Sequence, residues 1–155
     1  MKYQETDEYY MRLALKEAKK SLEHDDIPCG AIIVQNGIII SKGHNTRHKN
    51  QNVLGHAEIE AIKKANKKLN TWILDDCTLY CTIEPCVMCS SIIVQSRIKR
   101  VVYATREEKY GACGSRINLL QNSDLNTHIE ITKGILEEES QKLLKNFFQK
   151  LRQNK

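Results

Sequence analysis

Two short segments constrain this chain more than anything else in it: His56-Ala57-Glu58, and further on Pro85-Cys86-Val87-Met88-Cys89. One imidazole and two thiolates can hold a zinc ion and leave its fourth position to water, which is the layout of a catalytic site rather than a structural one. Glu58, two residues beyond the histidine, is placed to move protons for that water. A fold that uses both segments must bring two distant stretches of chain to one point.

The pattern around them predicts how. Met11, Leu13, Ala14, Leu15, Ala18 and Leu22 recur with a helical period, giving a helix over 7–24 that Pro28 closes. The β-branched runs 31–34 and 38–40 flank Gln35-Asn36-Gly37, and Asn-Gly between such runs signals a hairpin. A polar loop is expected over 43–55, a helix over 57–68 and a strand over 78–82. The next helix should run from Pro85 to about 95, because proline suits a first helical turn. Strands over 101–104 and 129–132 and a last helix over about 137–152 complete the chain. The order α-β-β-α-β-α-β-loop-β-α implies one layered α/β domain over 1–155, with helices covering a largely buried sheet.

Composition narrows the class. Two Pro and seven Gly in 155 residues, with 41% hydrophobic and 28% charged, argue against a disordered or fibrous chain. Residues 1–19 mix acids and bases among their apolar positions and do not read as a signal peptide. No stretch is long and apolar enough to span a membrane. The expected compartment is therefore the cytoplasm, where six cysteines stay reduced rather than forming a disulfide framework. Net charge is +5, and its distribution says more than its total. Beyond Glu139 there is no acid, only Lys142, Lys145, Lys150, Arg152 and Lys155. Such a tail suits a polyanionic partner; it equally suits the C-terminal end of a helix dipole.

On the expected elements, His56 and Glu58 open one helix, and Cys86 and Cys89 open another. Cys86 and Cys89 are three apart and share a helix face, and a helix N-terminus favours thiolates. Three other uses of these residues compete. Cys86-x-x-Cys89 could be a redox dithiol. A fourth protein ligand, Cys81 first and then Cys29, Cys77 or Cys113, would close the site, although Cys81 reads as small core filler. Glu58 could serve only as a first-turn acid. In the catalytic reading, zinc lowers the pKa of a bound water towards ~7, and Glu58 carries protons to a ring nitrogen and a departing amine.

The spacing H-x-E…P-C-x-x-C is identified as the zinc nucleobase deaminase signature. Beyond it, the chain resembles the bacterial tRNA-specific adenosine deaminases over nearly its whole length. The likeness rests on Tyr10-Met11-Arg12-Leu13-Ala14-Leu15, Ile27-Pro28-Cys29-Gly30-Ala31, Gly43-His44-Asn45, Thr82-Ile83-Glu84-Pro85-Cys86, Lys109-Tyr110-Gly111-Ala112 and Phe147-Phe148 with Arg152. The resemblance implies a three-layer α/β/α cytidine-deaminase-like fold around a central mixed five-stranded sheet. It implies one zinc per chain, conversion of adenosine to inosine at the wobble position of a tRNA anticodon, and a homodimer. Carried over by position, Asn45 and the Ala57 backbone would contact the flipped base. Phe147, Phe148, Lys150, Arg152 and Lys109 would lie along the anticodon stem-loop, as loop recognition by stacking and charge requires. Departures from the family pattern are Glu107 where Asp is frequent, Cys29 where Val or Ile is common, and Gln149 and Leu151 where Arg is frequent. A deaminase of a free base or nucleotide, of guanine or cytosine type, would share the same zinc chemistry. A non-catalytic RNA-binding module with a structural zinc is the third reading, which Glu58 disfavours.

Overall fold

The computed structural model describes the backbone of residues 2–154 and the side chains of residues 5–154; Met1 and Lys155, the last cation of the tail, lie outside the described residues. Helix α1 (Lys2–Lys20) starts before the apolar stripe, with Glu5 in its first turn where the helix dipole favours an acid. It also ends before residue 24: Ser21–His24 tighten into a 3-10 turn, which Asp25 stops in the left-handed region at φ 61°. Strands β1 (Gly30–Gln35) and β2 (Ile38–His44) form the expected hairpin. Asn36 (φ 50°) and Gly37 (φ 77°) both take positive φ, as a tight turn matched to strand twist requires. Then follow α2 (Arg47–Asn50), α3 (Ala57–Leu69), β3 (Cys77–Ile83), α4 (Val87–Gln95), β4 (Arg100–Thr105), β5 (Glu130–Lys133) and α5 (Glu137–Gln153).

Three expected boundaries move, each for a tertiary reason. The loop over 43–55 is partly structured: β2 runs to His44, and the α2 turn forms because the Asp26 carboxylate accepts the N–H of His48 (2.6 Å) and of Lys49 (3.1 Å). The fourth helix starts at Val87, not Pro85, because Cys86 stays extended (φ −76°, ψ 179°) and pairs with Gly111 as an isolated bridge. The last strand starts one residue late, since the Ile129 N–H is donated to the Leu120 carbonyl at 2.9 Å instead.

The sheet order is β2-β1-β3-β4-β5, with β1 antiparallel to both neighbours and β3, β4 and β5 parallel. Alternation sorts the layers. Ile32, Val34, Tyr80, Val102 and Ala104 point to one face and pack with Met11 and Ala14 of α1. Ala31, Ile33, Leu79, Cys81, Val101 and Tyr103 point to the other and pack with Ala61, Ile62 and Ala65 of α3 and Ile93 of α4. Helix α5 lies over β3 and β4 on the α1 side. The result is the three-layer mixed sheet that the resemblance implied. Gly30 shows how tight the α1 contact is: a Cβ there would overlap the backbone of Ala14 and Ala18. The parallel strands end on one edge, where open α/β sheets place their ligand crevices.

Candidate active site

The two defining segments meet at that edge. His56 precedes α3 in extended conformation, Cys86 precedes α4 likewise, and Cys89 lies in the first turn of α4. The His56 Nδ1 stands 3.4 Å from the Cys89 Sγ and 3.7 Å from the Cys86 Sγ. All three ligand atoms lie within 4.8 Å of one another. A nitrogen at ~2.0 Å and a sulfur at ~2.3 Å on a tetrahedral ion stand about 3.5 Å apart, so these donors fit a metal without rearrangement. Among the described residues, no fourth His, Cys, Asp or Glu joins them.

The other thiols are turned elsewhere. The Cys81 Sγ faces the Val102 carbonyl (3.7 Å), Cys77 faces the Asp76 carboxylate (3.7 Å), and Cys113 lies 3.4 Å from the Ser90 hydroxyl. Cys29 stands 3.9 Å from the Glu58 Oε1. All six cysteines are free thiols. The hydrogen bond from Cys89, and then that with His56, pulls the Cys86 thiol down to about 4. The same bond, together with burial, pushes Cys89 up. Hydrogen bonding to Cys86 raises His56. A cation that takes N and S ligands would displace the protons these three groups share.

Glu58, in the first turn of α3, is only 4% exposed among Ala57, Ile59, Ala61 and Ile62. Burial raises its carboxyl above the ordinary carboxylate range. It lines a cavity of about 270 Å³ together with His56, Cys86, Cys29, Asn45 and Ile83. That is small beside ligand pockets in general and suits one base ring. Exposed Arg47, Lys109 and Tyr110 rim the mouth, the Lys109 ammonium lying 5.2 Å from the Tyr110 ring.

Asn45 lines the cavity, held from several sides. Its N–H is donated to the Cys29 carbonyl (3.1 Å), its carbonyl accepts from the Ser21 hydroxyl (3.0 Å), and its Oδ1 accepts the Ala57 N–H (2.9 Å). Ala57 is fully buried, with its N–H already engaged by that bond. Of the tail residues, Phe147 is half-buried and Phe148 is 40% exposed, their rings edge-on at 5.3 Å. They line a neighbouring groove of about 470 Å³ that shares Ile27 and Arg47 with the cavity. Lys150 lines a further groove beside Leu22 and Asp25, and Arg152 is exposed on α5; neither reaches the cavity. Half-buried Leu143 and Leu144 dock the helix.

The sequence pattern assigned no role to Glu84. Its buried carboxylate accepts the N–H groups of Glu107 (3.1 Å), Cys113 (3.0 Å) and Ser115 (3.1 Å) and the Ser115 hydroxyl. It therefore pins residues 107–115, which carry Lys109 and Tyr110, against the end of β3. Glu107 adds a local clamp, accepting the Lys109 N–H at 2.9 Å. An acid directly before Pro85-Cys86 was the only available signal for Glu84. Arg47 and Asp26 had none, because a one-turn helix has no periodicity to read.

Comparison with known proteins agrees with this geometry. The MafB19-like deaminase family model matches residues 5–152. The tRNA-specific adenosine deaminase of Bacillus subtilis (strain 168) is 45% identical over 149 residues, covering 96% of this chain and 92% of that protein. A structure from a study of A-to-I editing by tRNA:A34 deaminases at the wobble position superposes with a TM-score of 0.84 at 34% identity, covering 88% of this chain and 99% of that one. A guanine deaminase from Nitrosomonas europaea superposes with a TM-score of 0.78 at 25% identity, covering 90% and 83%. The chain belongs to the MafB19-like deaminase family, and the relatives that share its full length place it with the tRNA-specific adenosine deaminases.

Proposed function

We propose that this enzyme hydrolyses adenosine to inosine at the wobble position of a tRNA anticodon, consuming one water and releasing ammonia. The observation that carries the reading is the buried Glu58 carboxylate, in the same base-sized cavity as the His56 and Cys86 donors, to which Cys89 adds a third. Those three residues would hold one zinc ion. When bound, zinc acidifies water and supplies the nucleophile at neutral pH.

The chain's own residues do the rest. Asn45, with its Oδ1 occupied by Ala57, has its amide N–H₂ left to donate to the base. Glu58, its affinity for a proton raised by burial, takes a proton from the attacking water. It then delivers protons to the ring nitrogen and the leaving amine. Ile83 and Cys29 line the same cavity and limit its water. Arg47, Lys109 and Tyr110 at the mouth, with Phe147 and Phe148 beyond, offer charge and stacking faces to the flanking nucleotides. A free base needs no such surface, which favours RNA over a guanine-type substrate despite the shared fold.

The test is inosine detection in an anticodon stem-loop with adenosine at the wobble position, set beside ammonia release from free guanine, cytosine and adenosine. Turnover of the stem-loop alone is expected, and its loss by ~10²–10⁴-fold or more in Glu58→Ala. Equal or faster release from guanine would overturn the RNA assignment. We also place the enzyme in the cytoplasm as a homodimer, by kinship with the tRNA deaminases; a one-chain mass in sedimentation at micromolar protein would refute the dimer. Among the described residues, no helix is long and apolar enough to cross a membrane.

A further inference from the structure

We propose that the groove between α1 and α5 binds the phosphodiester backbone of RNA outside the loop that enters the cavity. Arg12, Lys16 and Lys19 of α1 and Lys142 of α5 line this groove of about 450 Å³. The α1 cations recur at i, i+4 and i+7 and share one helix face. All four are exposed, and among the described residues none pairs with a carboxylate. Glu139 is the one acid among the described residues that line the groove.

Helix dipoles do not account for this arrangement. Lys19 stands in the last turn of α1, where a cation is favoured. Arg12 and Lys16 lie farther back along that helix. Lys142 lies in the first half of α5, nearer the end that favours acids.

The groove also connects to the cavity. The cavity shares Ile27 and Arg47 with the Phe147–Phe148 groove. That groove shares Asp25, Phe147 and Leu151 with the next one along α5, which in turn shares Leu143 and Asn146 with the α1–α5 groove. Along α5, the stretch from residue 142 to residue 151 spans ~13 Å. A strand leaving the cavity over the phenylalanines therefore meets four unpaired cations. The proposal rests on the tRNA reading for the identity of the polyanion; the cation groove itself stands apart from it.

The experiment uses Arg12→Gln/Lys16→Gln/Lys19→Gln/Lys142→Gln in the zinc-loaded enzyme, with full-length tRNA, an anticodon stem-loop and an oligouridylate as probes. The slope of log affinity against log salt should flatten by roughly three for oligouridylate and full-length tRNA, at ~0.7 for each phosphate no longer neutralised. Zinc content, melting temperature and kcat on the stem-loop should not move. The swap Arg12→Lys/Lys16→Arg/Lys19→Arg/Lys142→Arg should keep the wild-type slope. Unchanged slopes in the glutamine variant overturn the proposal, and so does a lost slope that the charge-keeping swap fails to restore. Wild-type binding of oligouridylate with the steep slope, but no stem-loop turnover, would support the groove and refute the wobble-deaminase reading instead.

Discussion

The Oδ1 of Asn45 accepts the backbone N–H of Ala57 at 2.9 Å. This bond joins the loop after β2 to the first residue of the helix that carries Glu58, immediately after His56. It satisfies one of the N–H groups that a helix start leaves without an intrahelical partner. It also fixes the amide so that its nitrogen is the free end.

The two ends of that amide separate by mutation. Asn45→Asp keeps an acceptor for Ala57, at a helix N-terminus that favours an anion, but has no N–H₂ to offer a base. It should keep its melting temperature and lose roughly 10–10² in kcat/KM, the worth of one buried hydrogen bond to substrate. Asn45→Ala should lose the same activity and about 1 kcal/mol of stability as well. Equal activity in wild type and Asn45→Asp would remove the amide from base recognition.

Metal content distinguishes an open site from a closed one. Cys86→Ala should lose most of its zinc and with it stability, because metal binding and folding are coupled. Cys81→Ala should keep zinc at wild-type stoichiometry, since that sulfur faces the Val102 carbonyl. Elemental analysis of both variants decides the point, and equal zinc loss in Cys81→Ala would make the site structural.

Asp26 gives a pH signature away from the metal. Burial pushes its carboxyl up, but the N–H groups of His48 and Lys49 and the hydrogen bond with His24 outweigh this and hold its pKa below the ordinary value. A depressed folded pKa means stability that is present above the unfolded pKa of ~3.9 and lost as pH falls through the folded one. Asp26→Asn should cost about 2 kcal/mol at neutral pH, and the gap from wild type should close below about pH 4. Thermal unfolding of both proteins at pH 7 and pH 3 tests this; a gap independent of pH would sink it.

The adjacent phenylalanines should behave differently. Phe148, 40% exposed, has less packing to lose than Phe147 and offers a free ring surface to the groove. Phe148→Ala should weaken stem-loop binding by ~1–3 kcal/mol, the usual worth of one base stacked on an aromatic ring, with the melting temperature almost unchanged. Phe147, half-buried beside it, should lose stability as well. Binding unchanged in Phe148→Ala would leave the tail as packing alone.

The sequence by itself determined the Asn36-Gly37 hairpin, the order of helices and strands, and that His56, Cys86 and Cys89 would meet near Glu58. Each is written in spacing over a few residues, where the period of a strand or the reach of a turn decides what faces where. Only the tertiary structure decided the rest. Cys86 is extended because Gly111 pairs with it, and α2 exists because Asp26, far back in the chain, accepts its N–H groups. The rim of the cavity hangs on Glu84, whose partners reach to Ser115. The track from cavity to cation groove needs α1 and α5, opposite ends of the chain, side by side. Such contacts join residues tens of positions apart, and no local period records them, because a buried carboxylate or a shared groove is satisfied by whichever segment the packed core brings within reach.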